Sequence, residues 1–314
     1  MQEVNRPIFV VGSPRSGTSI LTWCLGQHPN IFPVPESNWM GQFAVSVAAS
    51  YQVGAARGDR TILSAMDISG EEFFANFGRS INDLILRHRA NLEGKRKITR
   101  PPSEPKMRWV DGTPEYSLHI CALRKLFPGA LFVHVLRDVR DVVRSMLNFH
   151  RVAGFPLVRN EEQAYKYWLR TVKGCAQAEQ AYGSRVVHRL FYTTMIENPE
   201  SAMRSLLEFV GEAYCARCLE PLSKRINSSD VPADFVAKDP ATDPFVVEKA
   251  TKLYAELQKT APGTEPFSAV ANEMESAFYR KVQHTVTVDE QLRNARRMIE
   301  TLESNPLEKG RHKG

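Results

Sequence analysis

A short apolar run, PIFVV (Pro7 to Val11), leads directly into GSPRSGTSIL (Gly12 to Leu21). The run is continuous rather than alternating, so Ile8 to Val11 reads as a strand buried on both faces. Ser16 to Gln27 reads as the helix that follows, with Ile20, Leu21, Trp23, Cys24 and Leu25 supplying its apolar surface. A strand, a glycine turn and a helix make an anion site for simple reasons. The first helical turn has free N–H groups and the positive end of the dipole. Gly12 and Gly17 let the backbone curl so that several N–H groups face one oxyanion, and Thr18 and Ser19 add hydroxyl donors. The loop nearly fits G-x-x-x-x-G-K-[ST], but Thr18 stands where the lysine belongs and Arg15 sits inside the loop. That lysine neutralises the outer phosphates of a magnesium nucleotide, and the Ser/Thr helps hold the metal. Arginine instead grips phosphate or sulfate oxygens with a fixed, planar fork. The exchange points to a metal-free phosphate ester carrying more than one anionic group.

The rest of the chain supplies a sheet for this unit. HPNIFPVPESNW (His28 to Trp39) reads as a loop broken by three prolines. Residues 44–106 read as a helical insertion or lid, with a helix from Ser69 to Leu92 and a proline-and-charge stretch before Lys106. MRWVD (Met107 to Asp111) is a strand, and Thr113 to Phe127 a helix with Thr113 as N-cap and Pro114 in first position. ALFVHVL (Ala130 to Leu136) is the strongest strand, and Arg137 to Phe149 the helix after it. Glu161 to Tyr182, Arg185 to Tyr192 and Pro199 to Gly211 read as helix, strand and helix. Such alternation predicts an α/β fold: a parallel sheet flanked by helices. Beyond Ala213 the chain reads as mostly helical, ending in a helix near Asp289 to Glu303 and a frayed charged tail. We expect one α/β domain over 1–285, with 286–314 as its C-terminal helix and tail.

With 314 residues, 43% of them hydrophobic, the chain can bury a full core. No run reaches the roughly 18–20 apolar residues of a membrane span, and the N-terminus lacks the pattern of a signal peptide. The expectation is a cytoplasmic soluble protein. Five cysteines are too few for a disulfide framework, and the single C-x-x-C (Cys215, Cys218) reads as two small helical residues. A formal charge of +6 suits an anionic ligand, but the positives are spread along the chain and no nucleic-acid module appears.

These residues resemble a known family. PRSGTS (Pro14 to Ser19) is similar to the 5′-phosphosulfate loop of sulfotransferases that use 3′-phosphoadenosine 5′-phosphosulfate (PAPS), in the form found in tyrosylprotein sulfotransferases and bacterial relatives. FVHVLRDVRDVVRSM (Phe132 to Met146) resembles the 3′-phosphate motif: a strand ending in Arg137, with Ser145 eight positions on. LFYTTMIENPESAMRSLLEFVGE (Leu190 to Glu212) and INSSD (Ile226 to Asp230) are similar to two later family segments. The four matches run in the family's order from residue 8 to about residue 230.

The resemblance implies a metal-free, P-loop-like sulfotransferase fold with PAPS as donor and PAP as product. Ser13, Pro14, Arg15, Ser16, Gly17, Thr18 and Ser19 would cradle the 5′-phosphate, with Arg15 along the phosphosulfate. Arg137 and Ser145 would bind the 3′-phosphate. Tyr192 would reach the adenine, and Ser228 or Ser229 the cofactor. Glu36 stands where relatives carry the glutamate that takes the proton from a hydroxyl acceptor. A metabolite, sugar or lipid precursor is favoured over protein tyrosine as that acceptor. Oligomeric state stays open. Many relatives have Lys in D-K-T-P, where this chain has Gly112, and Lys106 or Arg108 are the candidates to replace it. Asp111 either faces the site or merely turns the chain before Thr113. His28 is expected to cap locally and His134 to lie in the core. Two other readings stay open: a P-loop kinase using Mg·ATP, and a nucleotide-binding protein without chemistry.

Overall fold

A computed structural model describes residues 6–96, 104–223 and 231–304. The first half runs β1 (Ile8–Gly12), α1 (Thr18–Gly26), β2 (Ile31–Pro33), α2 (Met40–Ala55), α3 (Ile62–Ala65), α4 (Gly70–Arg87), α5 (Arg89–Lys95) and β3 (Arg108–Asp111). There follow α6 (Ile120–Leu126), β4 (Leu131–Leu136), α7 (Val139–Leu147), α8 (His150–Ala153), α9 (Glu161–Tyr182) and β5 (Val187–Phe191). The last helices are α10 (Tyr192–Glu197), α11 (Pro199–Val210), α12 (Pro244–Lys259) and α13 (Ser268–Ser304). Short 3₁₀ turns occupy Gly58–Arg60, Pro114–Leu118 and Ala216–Ser223.

The five strands form one sheet in the order β2-β3-β1-β4-β5, and every pairing is parallel. Alternate residues of each strand serve opposite faces, as a period of two requires. Ile8, Val10, Val110, Val133 and Val135 pack with Leu21 and Leu25 of α1 and Leu206 of α11. Phe9, Val11, Trp109 and Phe132 pack with α2, α6 and the second half of α9. Phe9 sits at the middle of an aromatic cluster, its ring 5.4 Å from both Trp109 and Phe132. The middle strand reads as an unbroken apolar run because helices cover it on both sides.

Connections leave β1 toward β2 and β3 on one side, and leave β4 toward β5 on the other. The chain therefore changes direction between β1 and β4. A crevice opens outside the carboxyl ends of strands at such a point. The Gly12–Gly17 loop and Arg137 stand at the ends of those two strands.

The predicted elements are corrected in four places. Ile31–Pro33 is a strand within the expected loop, pairing Ile31 with Arg108 and Phe32 with Trp109 at the sheet edge. The helix expected over Thr113 to Phe127 is two pieces, the Pro114–Leu118 turn and α6, and Thr113 makes no side-chain cap. Residues 44–95 of the expected insertion are mostly helical, with 97–103 outside the described residues, but the first helix starts at Met40 and packs Ala44, Val45 and Ala48 into the core. The last helix begins at Ser268 rather than near Asp289; it runs unbroken across residue 285, with Phe278 and Val282 buried.

His134 lies in β4 with no exposure, and its Nδ1 is 2.6 Å from Glu179 Oε1 of α9. Burial pushes the Glu179 carboxyl up, but His134 and Arg189 more than offset this and hold it below the usual range. His28 accepts from the Asn30 amide at Nδ1, so its Nε2 carries the proton given to the Ala213 carbonyl, 3.0 Å away. It is the local cap that the sequence suggested. The Cys215 and Cys218 thiols are free, and Cys218 is buried against Cys24 of α1. No helix among the described residues is long and apolar enough to cross a membrane.

Candidate active site

The loop between β1 and α1 is shaped by its glycines and by one arginine. Gly12 (φ 155°), Arg15 (φ 72°) and Gly17 (φ 106°) all have positive φ. At Gly12 an added Cβ would stand 2.7 Å from the Val135 carbonyl oxygen; at Gly17 it would stand 2.6 Å from the Tyr192 ring. Both positions therefore exclude a side chain on space as well as on conformation. Ser16 closes the turn, with its amide (3.1 Å) and its hydroxyl (2.6 Å) both donating to the Ser13 carbonyl. Pro14 and Thr18 are buried, and Ser19 is partly exposed on the first turn of α1. No side chain caps α1, so its leading amides have no partner from the N-cap residue Gly17.

The second motif meets the first. The Arg15 Nε donates to Ser145 Oγ at 3.3 Å, and Arg137 Nη1 donates to the Arg15 carbonyl at 3.2 Å. The Arg15 guanidinium lies 4.9 Å from the Phe149 ring centre, and the Arg137 guanidinium 4.3 Å from that of Tyr192. Burial pushes the Arg15 guanidinium below its usual range; Arg137 adds to this and Glu36 opposes it. Two buried polar atoms here make no hydrogen bond among the described residues: Ser13 Oγ and Arg137 Nε. Arg137 Nε faces Asp141 Oδ2 at 3.9 Å, an ion pair longer than a hydrogen bond, so both donors keep capacity for a ligand. Adjacent cations at the N-terminus of a helix fit an ester with two anionic ends.

Glu36 lies in the loop between β2 and α2, on the far side of Arg15. Its own side chain is reachable from solvent. Partial burial of the carboxyl, followed by the charges of Glu115 and Asp111, raises its pKa to about 6, with Arg15 acting the other way. The loop is fastened from beneath. The Ser37 amide donates to Thr113 Oγ1 (3.0 Å), which donates to Asp111 Oδ1 (2.6 Å). The Tyr116 hydroxyl pairs with Ser37 Oγ and accepts from the Met40 amide at 2.9 Å. Asp111 thus turns the chain into Thr113, and its charge is felt at Glu36. Tyr167 of α9 donates to Glu115, which completes the acidic side.

The structure brings Ser13 to Ser19, Glu36, Arg137, Ser145 and Tyr192 to one crevice. Ser228 and Ser229 lie outside the described residues. Sequence reasoning missed Ser37, Glu115, Tyr116, Phe149 and Tyr167. Glu115 and Tyr116 had a signal, since they follow Asp111 and Thr113 directly; Phe149 and Tyr167 had none.

The profile of the Sulfotransferase family matches residues 7–215. The chain belongs to that family. Protein-tyrosine sulfotransferase A of Caenorhabditis elegans is 22% identical over 264 residues, covering 81% of this chain and 65% of the relative. Protein-tyrosine sulfotransferase 1 of Danio rerio is 26% identical over 209 residues, covering 65% of this chain and 52% of the relative. The chain thus spans only half to two thirds of these relatives. Among solved structures, a sulfotransferase domain from the curacin biosynthetic pathway aligns over 83% of this chain and 99% of its own, with 14% identity and a TM-score of 0.46.

The family lysine is not replaced by its sequence neighbours. The Lys106 ammonium is buried and donates to the carbonyls of Gly26, His28 and Ile31, at the far end of α1 from the loop. Arg108 is turned to the Arg6 and Val210 carbonyls and to Glu212. Gly112 itself is pressed onto α1, and a Cβ there would stand 2.2 Å from Thr22 Oγ1. A side chain at 112 would have to displace the Thr22 hydroxyl, which donates to the Thr18 carbonyl at 2.9 Å. Gly112→Ala should cost about 1–3 kcal/mol, as overpacking does. Combining it with Thr22→Ala should recover part of that loss, so the double variant is more stable in urea than the two single losses add up to. Simple additivity would mean that Thr22 is not the obstacle.

Proposed function

We propose that the chain transfers a sulfuryl group from PAPS to the hydroxyl of a metabolite, sugar or lipid precursor, releasing PAP. One observation carries the reading: the arginines of two distant motifs meet, with Arg15 on Ser145 and Arg137 on the Arg15 carbonyl. PAPS, when bound, supplies an activated sulfuryl group and a phosphate that leaves readily.

The residues then divide the work. The loop from Ser13 to Ser19 binds the 5′ end through backbone N–H groups and hydroxyls. Arg137 and Ser145 hold the 3′-phosphate, and Tyr192 holds Arg137 and the loop while bordering the adenine side. Arg15 stabilises the charge that develops on the leaving oxygen, which is where preorganised donors act most strongly. Glu36 takes the acceptor's hydroxyl proton; its raised pKa brings it near neutral pH, as a general base needs. Asp111, Thr113 and Tyr116 position Glu36 without touching the reacting atoms. The kinase reading fares worse, because Asp138, the acid that follows β4 and Arg137, is used as the N-cap of α7, accepting from the Arg140 amide at 2.8 Å.

The test is a thermal shift at low salt with PAP, PAPS, ATP, Mg·ATP and GTP in parallel. A ligand at ~100 times its Kd adds about 2.7 kcal/mol of apparent stability. PAP or PAPS should raise the midpoint without Mg²⁺. Stabilisation by Mg·ATP alone would refute the proposal.

A further inference from the structure

A second cleft plays no part in the chemistry above. It lies between the Pro114–Leu118 turn, α2, α6, α9 and α13 and has a volume of about 540 Å³, within the range of small-molecule sites. Val45, Leu118, Met274 and Phe278 give it apolar walls. Arg170 and Lys173 of α9 and Lys281 of α13 give it positive charge, with Glu273 as the opposing acid. None of these three cations forms a salt bridge among the described residues. Arg170 and Lys281 repel one another instead, and the Arg170 guanidinium lies 5.2 Å from the Tyr167 ring centre. Burial, with Arg170 acting in the same direction, holds the Lys281 ammonium below its usual range.

An independent feature also points to a ligand. Ser117 lines the cleft with 1% exposure, and its buried Oγ has no hydrogen-bond partner. The backbone brings it there deliberately close to α9. A Cβ on Gly174 would stand 2.6 Å from the Ser117 carbonyl oxygen, so the glycine lets the helix settle onto the turn. Arg170, Gly174 and Gln177 follow at spacings of four and three and share one helix face, so that approach also sets Arg170 beside the cleft. His119, at the same wall, is held at about 4 by burial and by Lys281, and is neutral at pH 7.

We propose that this cleft binds a small organic anion, a carboxylate or phosphate on a short apolar body, with Arg170 and Lys281 on the charge, Ser117 donating to it, and Leu118 and Phe278 against the body. The proposal does not rest on sulfuryl transfer, since none of these residues is assigned to that reaction.

Isothermal titration of the full chain with 4-phenylbutyrate and its uncharged amide tests it. The acid should bind saturably with one site, and the amide at least about tenfold more weakly, the effect of losing charge-assisted hydrogen bonds. Lys281→Met and Arg170→Met should each weaken the acid by roughly fivefold or more, and Ser117→Ala by a few-fold, while Lys166→Met changes nothing. The PAP-induced thermal shift, measured on the same variants, should stay at its unsubstituted value, which separates this cleft from the nucleotide crevice. Equal binding of acid and amide overturns the proposal. So does acid binding that survives both cation substitutions, or no saturable binding of either probe at millimolar concentration.

Discussion

Glu36→Gln is expected to keep PAP stabilisation and to lower turnover by on the order of 10²–10⁴-fold, the usual contribution of a positioned general base. Glutamine has the same shape and can accept a hydrogen bond, but it cannot take the proton. The loop should survive the change, because its fastenings run through Ser37, Thr113 and Tyr116 rather than through the Glu36 carboxyl. The unsubstituted enzyme carries its own control in its pH profile. With burial and nearby carboxylates raising Glu36 to about 6, the base is ionised above that pH and protonated below it. kcat/KM should therefore be level toward neutral pH and fall by about tenfold per unit on the acid side. Glu36→Gln should lose that acid limb along with its rate. An acid limb that persists in the variant would assign the titration to another group and remove Glu36 from the mechanism.

Legibility followed the physics of each signal. The Ile8–Val11 strand and its glycine turn could be read because a two-sided apolar run followed by G-x-x-x-x-G has few other structural solutions. Arg137 and Ser145 stood out only through the family resemblance, as an arginine at a strand end with a serine eight positions on. β2 was hidden because it is three residues long, set among prolines, and made a strand only by pairing with β3. The Thr113 helix was misread because Thr-Pro is a strong helix start locally, whereas in the fold the Thr113 hydroxyl is committed to Asp111 and Ser37. Lys106 shows the same limit from the other side. A lysine near a site looks available in sequence, and only tertiary structure shows it spent on three carbonyls at the opposite end of α1. Contacts such as Arg15 with Phe149 and Tyr167 with Glu115 join residues on separate elements, and no local pattern encodes them.

The second large effect belongs to Arg137. Its side chain does three things at once: it brings charge to the crevice, braces the Arg15 carbonyl, and lies on the Tyr192 ring. The brace matters because Arg15 holds a positive φ, a backbone state that a non-glycine residue keeps only when its surroundings enforce it. Arg137→Ala should therefore weaken PAP binding by roughly 10²–10³-fold, the loss of about two charge-assisted hydrogen bonds at about 1.5–3 kcal/mol each, with some cancellation. The PAP thermal shift would then vanish at concentrations that saturate the unsubstituted protein. Arg137→Lys should recover only part of this, because an ammonium restores the charge but not the planar fork or the ring contact. In the absence of ligand, Arg137→Ala should unfold at nearly the same urea concentration as the unsubstituted chain, since the lost brace on the Arg15 carbonyl and the relieved repulsion at Arg15 offset one another. A strongly destabilised apo protein would recast Arg137 as a structural support of the loop. Full PAP binding by the alanine variant would remove it from the nucleotide site and leave the meeting of the two motifs without a ligand to explain it.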